Sequence, residues 1–321
     1  MQISKVAEAA ARAADRIADI ICETPVIHST QFSEATGADV YFKLENRQHT
    51  GSFKLRGASN CLLSLSPEQR SRGVVAASSG NHGAGVAYAM RALDVPGVIL
   101  VPEQTSRMKV DAIRGYDGAV RFFGTDGLDT ELHAREYAAR EGLYYVSPYN
   151  DPAVIAGQAT CGVEIARQCP DLDAIFIAVG GGGLLSGVGS VLKECTPNIR
   201  IFACQPAASA VMAKSVEAGK ILDLPSEPTL SDGTAGGVEA DAITFELCRE
   251  LADEFVLVDE DSIAAAMRHF TDAHDDAIEG AAGVAIAALE QRRDVIKGMK
   301  VLVLVCGGNV SPETLESVCD V

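Results

Sequence analysis

The chain has 321 residues, of which 47% are hydrophobic and 22% charged. This is ordinary globular composition; it fits one large domain or two and excludes wholesale disorder. Lys plus Arg number 27 against 44 Asp plus Glu, a net charge of −17, so the surface repels phosphate backbones and anionic lipid headgroups, and neither nucleic acid nor a membrane is an expected main partner.

Residues 3–21 place Val6, Ala10, Ala13, Ile17 and Ile20 at helical spacing and predict an amphipathic helix, stopped by Thr24-Pro25. Glu8, Asp15 and Asp19 interrupt that stretch, so a signal peptide is not expected, and no apolar run has transmembrane length. Short apolar runs then read as buried strands: 40–44, 74–78, 97–102, 119–123, 143–147, 174–180, 200–205, 255–259 and 300–307. Ala-rich stretches of helical length separate them, such as GAGVAYAMRAL and AVIAGQATCGVEIARQ. Continuous apolar strands alternating with helices predict parallel sheets covered on both faces. Around residues 220–240 the sequence PSEPTLSDGTAGGVEAD has no periodicity and reads as a long loop of the kind that is often functional.

The nine cysteines stand at positions 22, 61, 161, 169, 195, 204, 248, 306 and 319. Their odd count, the absence of a C-x-x-C pair and their place in apolar runs such as VLVLVC imply reduced, mostly buried thiols in a cytoplasmic protein.

Four segments could carry chemistry. In TGSFKLRGASN, Lys54 lies between Phe53 and Leu55; partial desolvation there would lower its pKa and make it a Schiff-base amine, although such a lysine alone is more often a snorkelling surface residue. In VVAASSGNHGAGVAYAM a strand runs into Ser78, Ser79, Gly80, Asn81 and His82 at a helix start, which suits a carboxylate pocket or simple helix capping. In AIFIAVGGGGLLSGVGSVL, Gly180, Gly181, Gly182 and Gly183 join a strand to a helix, as a phosphate cradle or a tight turn requires. A dinucleotide site is the rival, but the spacing fits G-x-G-x-x-G only loosely, and the next strand ends in Gln205 where a ribose-binding acid is wanted. In VLVLVCGGNVSP a strand ends in Cys306, which reads either as a residue aimed at a ligand crevice or as a buried cysteine before a turn.

Together, SFKLRGA, SSGNHG, GGGGLLSG and CGGN occur in this order, with TPVIHS, PAVIAGQAT and EGAAGVAIAAL in register. The chain thereby resembles, over nearly its whole length, the fold-type II pyridoxal-phosphate enzymes of the serine/threonine dehydratase and serine racemase group. The resemblance implies an α/β fold, tryptophan synthase β-like, with two domains of parallel-type twisted sheets covered by helices. The large domain would span 1–49 and 148–321 and the small domain 50–147, with the cofactor between them. It implies pyridoxal 5'-phosphate as cofactor, an amino acid as substrate and a homodimer.

By the same resemblance Lys54 would hold the cofactor through its amine and Phe53 would pack beside the ring. Asn81 would bond the ring's phenolic oxygen, Gly180–Gly183 would hold the phosphate and Cys306 would sit at the pyridine nitrogen. Ser78, Ser79, Gly80, Asn81 and His82 would hold the substrate carboxylate, with Ser79 facing the α-carbon opposite the lysine. A neutral thiol makes the ring a weaker electron sink than an aspartate would, which favours early loss of a β-leaving group. The implied activity is that of an ammonia-lyase on a β-hydroxy-α-amino acid such as L-threonine or L-serine. Serine racemase and 3-hydroxyaspartate ammonia-lyase are the alternatives. Tyr149 and Asn150 fall where such enzymes vary near the substrate side chain. Some relatives bind a divalent cation at positions that here hold Gln205, Ser209 and Val211; lacking carboxylates, these predict no metal.

Overall fold

A computed structural model describes residues 1–319. Ten strands form two sheets: β1 (Val26–His28), β2 (Asp39–Leu44), β3 (Val74–Ala77), β4 (Gly97–Val101), β5 (Val120–Phe122), β6 (Tyr144–Tyr145), β7 (Ala174–Ala178), β8 (Arg200–Pro206), β9 (Glu254–Val258) and β10 (Lys300–Val305). One sheet has the order β1-β2-β10-β7-β8-β9 and the other β5-β4-β3-β6. All four strands of the smaller sheet come from residues 74–145.

Every strand pair is parallel except β1 with β2. Ile175, Phe176, Ile177, Val303 and Leu304 are buried on both faces, which only a sheet covered by helices on each side achieves. The Phe176 and Phe202 rings stack across β7 and β8 at 4.4 Å. The helix Gly280–Gln291 lies against the larger sheet with every residue from Gly280 to Leu289 buried, so its sequence shows no polar face.

The first helix runs only from Ile3 to Ile17, a turn shorter than its periodicity predicts. Ile20 N donates to Ile17 O at 2.9 Å, so the last apolar residue belongs to a tight turn and not to the helix. The segment that follows holds β1 and the helix Thr30–Thr36, neither of which has enough residues for a periodic signal. No helix or strand is assigned from Gly219 to Ile243, in keeping with the loop read from its Pro, Ser and Gly content.

The eight cysteines whose side chains are described are all free, and six of them are buried. Cys319 lies outside that set. No helix among the described residues is long and apolar enough to cross a membrane.

Candidate active site

Parallel pairing brings the C-terminal ends of β2, β7, β8, β9 and β10 to one edge of the larger sheet. The end of β7 delivers Gly180–Gly183 and the end of β10 delivers Cys306–Asn309. Backbone contacts fasten the chain before Lys54 to that edge. Phe53 N donates to Cys306 O at 3.1 Å, Gly308 N donates to Gly51 O at 2.9 Å, and Ser52 bridges Gly307. Lys54 then opens the helix Lys54–Ser64.

Glycines let neighbouring helices press that helix into place. A Cβ on Gly85 would lie 3.1 Å from Leu55 N, and one on Gly157 would lie 2.6 Å from Gly57 Cα. Two residues beyond Lys54, the side chain of Arg56 is fully buried. It donates to Glu45 at 2.8 Å through both Nε and Nη2, and to Glu164 at 2.6 Å through Nη1 and 2.8 Å through Nη2. Buried Lys43 donates to Glu164 Oε2 at 2.5 Å and to Thr24 O at 2.7 Å. Two cations thus answer two carboxylates, and Arg56 holds the Glu45 carboxyl below its ordinary range despite burial.

Lys54 Nζ donates to Pro148 O at 3.0 Å and lies 5.3 Å from the centre of the Phe53 ring. Burial pulls its amine down to about 8, against the opposing pull of Cys306 and Glu279. The same burial, reinforced by Glu279, pushes the Cys306 thiol well up, so it stays protonated. His82 turns its imidazole into the core, where Nε2 donates to Val146 O at 2.8 Å; burial lowers its pKa to about 3 and keeps it neutral.

The glycine loop is shaped from both sides. A Cβ on Gly181 would come within 2.3 Å of the Tyr149 ring, and one on Gly182, whose φ is +85°, within 2.5 Å of Cys248 Sγ. Thr244 Oγ1 donates to Gly181 O at 2.6 Å. Among the described residues, none of the N–H groups of Gly180–Gly183 donates to another protein group. They lie at the start of the helix Gly183–Cys195, where the helix dipole adds to their attraction for an anion. A buried amine, a neutral thiol and a cradle of free N–H groups fit the amine, ring and phosphate requirements of pyridoxal phosphate.

Asn81 begins the helix Asn81–Leu93; its Nδ2 donates to Glu279 Oε2 at 2.7 Å and its Oδ1 accepts from Asn309 Nδ2 at 2.7 Å. Ser78 Oγ accepts from Gly80 N at 3.2 Å, whereas the Ser79 hydroxyl makes no hydrogen bond among the described residues. Tyr149 and Asn150 are tied to the 219–243 segment. Tyr149 Oη accepts from Glu239 N at 2.9 Å, Asn150 Nδ2 donates to Glu239 Oε2 at 2.8 Å, and Asn150 Oδ1 accepts from Ile243 N at 2.9 Å.

Sequence reasoning missed Glu279 and the partner role of Asn309. Glu279 is the one acid directly ahead of the wholly apolar run GAAGVAIAAL, a signal that marks a helix cap but not a partner across the site. Gln205 is internally satisfied. Its Nε2 donates to Val179 O at 3.0 Å and its Oε1 accepts from Ala213 N at 2.7 Å.

Residues 17–307 match the family model described as pyridoxal-phosphate dependent enzyme, and the chain belongs to that family. Among curated proteins it is 39% identical to a putative threonine dehydratase of Sinorhizobium fredii, over 94% of this chain and 92% of that protein. Its fold matches the processed form of threonine deaminase isoform 2 from Solanum lycopersicum with a TM-score of 0.94 and 35% identity, covering 100% of this chain and 94% of the other. It also matches maize serine racemase with a TM-score of 0.91 and 34% identity, covering 97% and 95%.

Proposed function

We propose that the protein is a pyridoxal-phosphate-dependent ammonia-lyase that converts a β-hydroxy-α-amino acid such as L-threonine or L-serine to a 2-oxo acid and ammonia. The observation that carries this reading is the pairing of a desolvated lysine with a neutral thiol at the end of β10, with four free glycine N–H groups at the end of the neighbouring strand β7. When bound, pyridoxal phosphate supplies the electron sink that acidifies the substrate α-carbon. Gly180–Gly183 would hold its phosphate, Phe53 and Asn81 would flank the ring, and Cys306 would meet the ring nitrogen without charging it.

With an amine near pKa 8, Lys54 sheds its proton close to neutral pH and is suited to take the α-proton of the substrate. Ser78–His82 offer hydroxyl groups and N–H groups at a helix start to the substrate carboxylate. His82 contributes only through its backbone, because its ring is committed to Val146. The 50–147 segment would form a small domain that carries the substrate-carboxylate loop, and a homodimer in the cytoplasm completes the proposal.

Serine racemase is the second reading, favoured by the unpartnered hydroxyl of Ser79, which leaves a second acid–base group free. Release of 2-oxo acid and ammonia from L-serine, D-serine, L-threonine and both 3-hydroxyaspartate diastereomers tests the assignment. Activity on L-threonine or L-serine is expected; activity confined to 3-hydroxyaspartate would replace it.

A further inference from the structure

Beside Cys306 stands a carboxyl that the reaction above does not use. Glu279 stands at the N-cap position of the helix Gly280–Gln291, makes no side-chain bond to that helix and is 5% exposed. Its Oε2 accepts from Asn81 Nδ2 at 2.7 Å, and Cys306 Sγ donates toward its Oε1 at 3.7 Å. Gly307 leaves it that place, since a Cβ there would fall 2.5 Å from Oε1. Asn309 Nδ2 closes the arrangement, donating to Asn81 Oδ1 at 2.7 Å and to Thr50 O at 2.9 Å. No Lys, Arg or His among the described residues forms an ion pair with Glu279.

We propose that Glu279 is a positioning residue of this site, a proton-switched clasp between Asn81 on the helix Asn81–Leu93 and Cys306 at the end of β10. The proposal rests on the reading of Lys54 and Cys306 as the active site. The charged and titratable groups that face Glu279 are Lys54 from the helix Lys54–Ser64, Cys306 from the end of β10 and Asp232 from the 219–243 segment. Lys109 holds Asp232 at 3.1 Å, and His82, which feels Lys54, is neutral.

Burial without an ion-paired cation penalises the ionised carboxyl, Asp232 adds to the penalty, and Asn81 and Cys306 oppose it by donating. Burial prevails and moves Glu279 up to about 7, so the carboxyl changes charge across neutral pH. The neutral form bonds Asn81 weakly. The ionised form makes a charge-assisted hydrogen bond about twice as strong. The helix start that carries Ser78–His82 is therefore held more firmly as pH rises. Fold stability runs the other way. Between the ordinary carboxyl value of 4.5 and about 7 the folded chain binds more protons than the unfolded chain, so stability falls with rising pH over that window.

The test compares Glu279→Gln with the unaltered chain from pH 5 to 9. Urea midpoints are measured on the apoprotein, and kcat and KM on the holoenzyme. The variant should gain urea resistance relative to the unaltered chain between pH 5 and 8. The unaltered holoenzyme should show KM falling about fivefold across neutral pH, while the variant stays flat within about twofold and keeps kcat within about threefold. Parallel urea profiles together with parallel KM profiles would overturn the clasp. Should Glu279→Gln not fold, Glu279→Asp decides: a displaced pH transition supports the clasp and an undisplaced one overturns it. A chain that releases no 2-oxo acid yet shows diverging urea midpoints keeps the clasp and loses the lyase reading. Lyase activity with parallel profiles does the reverse.

Discussion

Lys54 stands between two buried carboxyl sites that solve the same problem in opposite ways. Two residues along its helix, Glu45 and Glu164 face Arg56 and Lys43, and four charges close on one another with nearly every donor used. Across the site, Glu279 has amide and thiol donors but no ion-paired cation. In the first arrangement Arg56 holds the Glu45 carboxyl below its ordinary range, and the ion pairs fix the helix. The second leaves a carboxyl poised to gain or lose a proton where the chemistry occurs. What burial does to a carboxyl is decided by its partners: burial raises the pKa in both places, and only the Arg56 side reverses the shift.

The largest effect should come from breaking the balanced site. Arg56→Met leaves two buried carboxylates with one cation and should cost about 3–5 kcal/mol, read as a fall in the urea midpoint. Loss of less than about 1 kcal/mol would mean that water or Lys43 alone can neutralise the pair.

The pH dependence of stability sharpens the contrast. Glu45 has a folded pKa below its unfolded value, so its stabilisation is present above about pH 4.5 and drains away as pH falls through the folded value. Glu279 has the opposite sign, and its destabilisation grows from about pH 4.5 to about 7. Unfolding free energy measured from pH 3 to 8 should therefore gain an acid limb from the first site, lost in Glu45→Gln, and a neutral limb from the second. A Glu45→Gln variant with an unchanged acid limb would contradict the assignment.

How much of this was legible in the sequence depends on distance along the chain. Lys54, Gly180–Gly183 and Cys306 each sit within a local motif, and the strand ends that carry them follow from alternating apolar runs. The balanced site is built from residues up to 121 positions apart; Lys43 falls in a run that reads as a buried strand, but nothing local marks Glu164 as its partner. Glu279 lies 198 residues from Asn81, and the pairing exists only because the fold brings the starts of two helices together, Gly280–Gln291 and Asn81–Leu93. The strand β1 escaped because three residues cannot show a period.

Smaller effects test the edges of the account. Ser79→Ala should abolish any racemisation of serine while elimination from one enantiomer falls by about tenfold or less, since only racemisation needs a group on each face of the α-carbon. Chiral analysis of recovered serine reads this, and racemisation that survives would remove Ser79 from the second face. The smallest expected change is none. Gln205 spends both ends of its amide on Val179 and Ala213, so EDTA should leave the rate unaltered. A loss restored by Mg²⁺ or Ca²⁺ would place a cation among other ligands.

The central claim is that Lys54 anchors the cofactor and moves the α-proton, and one comparison tests it most directly. The unaltered chain and Lys54→Ala are loaded with pyridoxal phosphate, washed, and given L-threonine and L-serine while 2-oxo acid and visible absorbance are followed. The unaltered protein should stay yellow and release 2-oxo acid, and Lys54→Ala should lose the colour of covalently held cofactor and all but a trace of turnover. Turnover by Lys54→Ala above a trace would contradict the account.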